Sequence, residues 1–161
     1  HNFYIPAGGD EPDPKVNEKF KHKLDFLNEA TVYMKTKEKN SFTALVGDLN
    51  IAPHENDVWS HKQLLKIVSH TPIEVKKLTK FQNSINFIDA IREFHPLSEK
   101  LYSWWSYRSR DWEVSDRGRR LDHIWVTPKL NKKLTKASIQ KNIRGWDKPS
   151  DHSPLIADFK F

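Results

Sequence analysis

Apolar residues recur along this chain with two different periods, and the change of period divides it. From Phe20 to Met34 the positions Phe20, Leu24, Leu27, Thr31 and Met34 fall three or four apart with Lys and Glu between them, which predicts an amphipathic surface helix capped by Asn17. Phe42 to Val46 is a short apolar run rich in strand formers, and Gly47 is read as its stop. A helix around Asp57 to Val68 follows, and another begins at Thr71 and Pro72, where the first helical turn tolerates a proline. In the last third, "LYSWWSYR", "RRLDHIWV", "KASIQKNI" and "PLIADFKF" predict successive strands separated by polar turns. At the other end, "HNFYIPAGGDEPDPK" predicts a strand, Asn2 to Ile5, that runs into a Pro and Gly loop with nothing before it to pair with. The chain is therefore expected to begin inside a larger fold. Helix followed by buried strand is the order of an α/β protein, and no internal repeat interrupts it.

Composition narrows the chemistry. The 161 residues suit one domain, with no low-complexity linker to divide them. Lys and Arg outnumber Asp and Glu by 27 to 21, and the resulting charge of +6 favours a polyanionic partner without naming it. Cysteine is absent, so disulfides and thiolate sites are excluded. Any metal would be held by oxygen or imidazole, which points to magnesium or manganese rather than structural zinc. No apolar run approaches the roughly 18 residues of a membrane helix, and the first residues lack the blocks of a signal peptide. A soluble, cytoplasmic chain without a membrane partner is the expectation.

Three short stretches carry candidate chemistry. In "VGDLNIAP", Asp48 and Asn50 lie two apart past the end of a strand, where α/β sheets bind ligands and where alternate side chains point the same way. An Asx turn explains the same aspartate without function. In "GRRLDHIWV", Asp122 interrupts a run that reads as a buried strand, and a carboxylate there costs several kcal/mol unless it is paired. Arg119 or Arg120 is the structural partner on offer. In "PSDHSP", Asp151 and His152 stand at a strand entrance, although a lone loop histidine is usually only that. Together the three supply carboxylates, an amide and an imidazole, the inventory of a hydrolase that holds a hard cation and splits a phosphoester.

The ordered set "YIPAGG", "GDLNIAP", "YSWWSYR", "GRRLDHI" and "PSDHSP" resembles the second half of an exonuclease III type AP endonuclease, in the endonuclease/exonuclease/phosphatase superfamily. The resemblance implies a four-layer α/β/β/α sandwich, of which residues 1–161 are the C-terminal part of one domain, contributing mainly one sheet whose inner face is left apolar and unpartnered. It implies a magnesium-dependent DNA phosphodiesterase of base-excision repair, with manganese as a substitute, that cuts at abasic sites and trims 3′ ends. Tyr4 matches a tyrosine that supports the phosphate or leaving group, Asp48 the aspartate that activates water, and Asn50 the asparagine that orients it. Asp122 matches a supporting aspartate, Asp151 a metal-associated carboxylate, and His152 the histidine on the scissile phosphate. The metal set by this reading is Asp48, Asn50, Asp151 and His152. Ala7 departs from the Asn or Gln that many members carry, and the principal metal-binding glutamate belongs to a half with no counterpart here, so weak metal binding and slow turnover are expected.

The substrate is argued separately, because the superfamily also cleaves lipid and small-molecule phosphates. Tyr102, Trp104, Trp105, Tyr107 and Trp112 interleave with Arg108 and Arg110, a mixture suited to stacking on sugar or base while pairing with phosphate. At least half of these aromatics are expected to be core, with Trp104 outside it as the wall of a pocket for a baseless sugar. Arg117, Arg119, Lys141, Arg144 and Lys148 add positive charge near the same strand ends. Duplex DNA with abasic sites or 3′ ends is the expected partner, met through Trp104, Tyr107, Arg108, Arg119 and Lys148, by an enzyme that is monomeric at full length. The readings from other classes are a DNA-binding fragment that does not cut and a phosphoesterase of small or lipid substrates.

Overall fold

The computed structural model describes all residues, His1–Phe161. Helix α1, Glu18–Lys35, starts where Asn17 accepts from the Lys19 and Phe20 amides and buries Phe20, Leu24, Leu27 and Met34 as the spacing requires. It also buries Lys23, a position the pattern assigns to solvent. Strand β1, Ala44–Asp48, runs through Gly47 rather than stopping there. Residues 1–5 lie parallel beside it, with Phe3 N donating to Val46 O (2.9 Å) and Ile5 N to Asp48 O (3.0 Å). Glycine is required at 47 by this approach: φ is +132°, and a Cβ would stand 2.0 Å from Phe3 O.

The predicted helix over 57–68 is instead a 3₁₀ turn, Glu55–Asp57, and a single-turn α2, His61–Leu64. Asp57 is taken out of the helix by its own carboxylate, which accepts from His54 N, and Ser69 at φ +90° ends the segment. Helix α3, Pro72–Gln82, has a reciprocal cap between Thr71 and Glu74. Strand β2, Ile88–Asp89, and the one-turn helices α4, Trp112–Ser115, and α5, Pro128–Asn131, were not legible. Only Trp104–Trp105 of "LYSWWSYR" is strand (β3), and "RRLDHIWV" divides into β4, Gly118–Arg119, and β5, Asp122–Val126. Strand β6, Leu134–Ile139, ends before "QKNI", which joins a 3₁₀ turn over Lys141–Gly145. The last strand, β7, is Leu155–Phe159.

The strands form an antiparallel three-stranded sheet, β1-β5-β2, and two antiparallel pairs, β3-β4 and β6-β7. The sheet is covered on both faces. Leu45 and Trp125 pack against Leu27 and Met34 of α1 and Leu78 and Phe81 of α3. Val126, with Ala44 and Ile124, meets Ala137, Leu155, Ala157 and Phe159 of the β6-β7 pair. The chain thus supplies one helix layer on a three-stranded sheet, with the β6-β7 pair on the sheet's other face and a separate β3-β4 pair, not mainly one sheet. The second face is closed only at one end: at the other, Val46, Ile124, Pro154 and Leu155 border an open groove of about 500 Å³. No helix is long and apolar enough to cross a membrane.

Candidate active site

The candidate site forms at the end of the β1-β5 pairing. Their register sets Asp48 directly opposite Asp122, so a strand end and a strand start deliver two carboxylates to one place. This is an antiparallel arrangement, not the parallel strand-end crevice expected of a doubly wound sheet. Asp48 does make the Asx turn: its Oδ1 accepts from Asn50 N at 2.9 Å, and its Oδ2 from Asn50 Nδ2 at 3.1 Å. The turn and the site are the same object. Asn50, at φ +51°, also donates Nδ2 to Ile5 O (2.8 Å), which leaves its Oδ1 free of protein donors.

His152 closes the group from the loop before β7. Its Nδ1 lies 2.8 Å from Asp122 Oδ2, and its Nε2 faces Asp48 Oδ2 across 4.0 Å. Neither arginine pairs with Asp122: Arg119 donates to Val68 O and Ser69 Oγ, and Arg120 is bound to Asp57 and Asp89. The partner that sequence reasoning missed is Ser103. Fully buried on the approach to β3, it donates Oγ to Asp122 Oδ2 (2.7 Å) and accepts from the Leu121 and Asp122 amides at 3.0 Å. A serine 19 residues away gives no local signal. Burial pushes the Asp48 carboxyl up, the nearby Asp122 charge adds to this, and the Asn50 amide opposes it. For His152, burial disfavours the imidazolium, but the Asp122 hydrogen bond and the charges of Asp122, Asp48 and Asp151 outweigh it, and its pKa is raised.

An open cleft of about 960 Å³ runs from this group. Tyr4, 68% exposed, stands at it with Asp48, Asn50 and His152, and Trp59, Trp104, Arg108, Arg117 and Arg119 also line it. The Arg117 guanidinium lies over the Trp59 ring (4.8 Å) and that of Arg119 over Trp104 (5.4 Å), so two aromatic walls each carry a cation. Trp104 lies outside the core and its Nε1 donates to Asp151 Oδ2 (2.9 Å), while Trp105 is buried. Trp59 gave no signal in the sequence. Tyr107 and Lys148 do not line the cleft: Tyr107 donates to Pro149 O beneath Arg144, and Lys148 is exposed in the following loop at φ +47°.

The profile of the Endonuclease/Exonuclease/phosphatase family matches residues 24–152. The chain belongs to that family. It is 31% identical to exodeoxyribonuclease III of Haemophilus influenzae over 167 aligned positions that cover 99% of this chain and 60% of the relative. It superposes on an AP endonuclease from Archaeoglobus fulgidus with a TM-score of 0.91 at 32% identity, and on a 3′ phosphatase from Neisseria bound to a product DNA hairpin with 0.88 at 26%. Each superposition covers 99% of this chain and 60% of the other. The chain spans about three fifths of the length of these relatives.

The family is in general divalent-metal dependent. The four ligands expected from the motifs do not converge as a set, and no three His, Asp or Glu side chains are grouped closely enough to hold an ion. His152 has Nδ1 committed to Asp122, and Asp151 has one oxygen committed to Trp104. Asp48 and the free Oδ1 of Asn50 remain. Two oxygens fit a hard divalent cation that keeps several waters better than one that needs a full protein cage.

Proposed function

We propose that the protein is a magnesium-dependent DNA phosphodiesterase that incises beside abasic sites and trims 3′ ends, and that this segment carries its water-activating and phosphate-contacting residues. The observation that carries the reading is the Asp48, Asn50, Asp122 and His152 group at the mouth of a cleft walled by aromatic rings and arginines. Asp48 orients the attacking water and takes its proton, helped by a carboxyl already pushed upward by burial. Asn50 orients that water by accepting from it through Oδ1. His152, whose pKa is raised by Asp122 against the opposing effect of burial, donates Nε2 to a phosphate oxygen as negative charge builds there. Tyr4 places its phenol at the same cleft beside the leaving group. Trp104 walls the space for a baseless sugar, and Arg108, Arg117 and Arg119 meet the strand backbone. A magnesium ion held by Asp48 and Asn50 would offset charge on the phosphate oxygens.

The shortage of converging ligands favours a second reading, a DNA-binding segment that grips without cutting. Both are tested on duplex DNA containing one abasic site, given to the intact protein with magnesium and then with EDTA. Nicking 5′ to the lesion that stops with EDTA, and falls at least 100-fold in Asp48→Asn, is the expected outcome. Retention of the duplex without cleavage would favour the second reading.

A further inference from the structure

Lys23 is fully buried in the middle of α1, beneath the candidate site. Its Nζ donates to Glu74 Oε1 at 2.6 Å, Asn50 O at 2.9 Å and Ala7 O at 3.2 Å, three acceptors for three protons. Glu74 is buried as well and is spoken for on every side, accepting from the Ser69 and Thr71 amides and from Thr71 Oγ1. A buried ion pair of this kind is poorly explained by stability, since apolar side chains of similar volume usually serve at least as well. Its placement offers another explanation. Ala7 belongs to the loop that carries Tyr4, and Asn50 to the loop that carries Asp48, so one ammonium ties the two loops together.

Two further observations point the same way. Asn50 has φ +51°, a left-handed conformation that asparagine accepts more readily than most residues, and the carbonyl Lys23 holds is that residue's own. With its amide group held by Ile5 O and Asp48, Asn50 is fixed at both ends and its Oδ1 direction is set. Gly8, at φ +93°, lies across the lysine stem: a Cβ there would come within 2.9 Å of Lys23 Cδ. The Tyr4 loop is shaped around this side chain.

We propose that Lys23, charge-balanced by Glu74, is a positioning residue that holds the Tyr4 loop and the Asp48–Asn50 turn in register for the reaction. This rests on the roles given to Asp48 and Asn50 under Proposed function. The test is the double variant Lys23→Met/Glu74→Gln in the intact protein, which removes both charges and leaves no buried ion unpaired. Its thermal midpoint is expected to fall, because buried carbonyls and amides lose partners, but at a temperature where both proteins are folded its KM for abasic duplex is expected to stay within about twofold while kcat falls about 100-fold, the size of effect that small misplacements produce. The side-chain amide resonances of Asn50 are expected to move towards solvent-exposed values. An unchanged kcat, or a loss of kcat that only follows the loss of folded protein, would overturn the proposal. Should the double variant not fold, Gly8→Ala keeps both charges but displaces the lysine stem, and kcat is expected to fall about tenfold; no change there overturns it too. If the unaltered protein does not nick DNA, the phosphodiesterase reading fails, and Lys23 is judged by the Asn50 resonances alone: unmoved, they refute the positioning role.

Discussion

At the scale of single residues, the site is organised by what Asp122 does with its two neighbours. One of its oxygens accepts from both Ser103 Oγ and His152 Nδ1, so the imidazole is oriented by a carboxylate that is itself fixed by a buried hydroxyl and, through that hydroxyl, by two backbone amides. Such an arrangement favours the imidazolium, and the direction of the His152 shift follows. Because the folded pKa lies above the ordinary value near 6.5, protonation of His152 contributes stability that is fully present below about pH 6.5 and is lost as pH rises through the folded pKa. An NMR titration of the imidazole should therefore give a midpoint above about 6.5, and Asp122→Asn should lower it, since the leading favourable partner is gone while burial still opposes the charge. A midpoint unmoved by that substitution would mean that Asp48 and Asp151, not Asp122, set the charge.

Elements are joined to this site by a second buried group that no motif announces. Arg120, fully buried one position after β4, makes a two-pronged contact with Asp57 through Nε (2.8 Å) and an η nitrogen (2.9 Å), and reaches Asp89 of β2 at 2.6 Å. Arg92 adds a second cation to Asp57. Burial works against both carboxylates being charged, but the arginines prevail and both pKa values are held below the usual range. Removing the cation alone, as in Arg120→Met, leaves Asp89 without a cation and Asp57 with Arg92 only, and should cost about 3–5 kcal/mol in urea unfolding, much of it recovered when Asp89 becomes Asn as well and Asp57 is left to Arg92. The sign for pH follows from the depressed values: their contribution is present above about pH 4 and is lost as pH falls from there. This network also explains which elements were legible. Helix α1 was, because Asn17 and a three-to-four spacing are local; the 57–68 segment was not, because Asp57 serves Arg120, 63 residues away, and β2 is too short to have a period.

Across the whole molecule the α/β class was legible from the ordered motifs, whereas the strand-by-strand layout was not. Asp48, Asn50, Asp122 and His152 were ambiguous one at a time and stood out only as an ordered set of motifs, whereas Ser103, Trp59 and Lys23 look like ordinary strand, turn and surface residues. Which strands leave the central sheet was not readable, since β6-β7 differs from the other strands only in what it packs against. Charge was half readable. The excess of +6 is spread over the surface, but Arg108, Arg117 and Arg119 are gathered on the cleft, two of them over aromatic rings. If a DNA backbone runs through that cleft, each arginine that neutralises a phosphate displaces a condensed counterion, and log Kd acquires a dependence on log salt of roughly 0.9 per contact on duplex. Arg117→Ala should then lower that slope by about 1 and weaken binding to all sequences alike, because phosphates carry no base information. Lys80, on α3 and outside the cleft lining, contributes to the net charge equally but meets no strand, so Lys80→Ala should leave the slope where it was. Titrations by fluorescence anisotropy between low and physiological salt decide it: equal slopes for the two variants would mean that overall charge, not the cleft, draws the polyanion in.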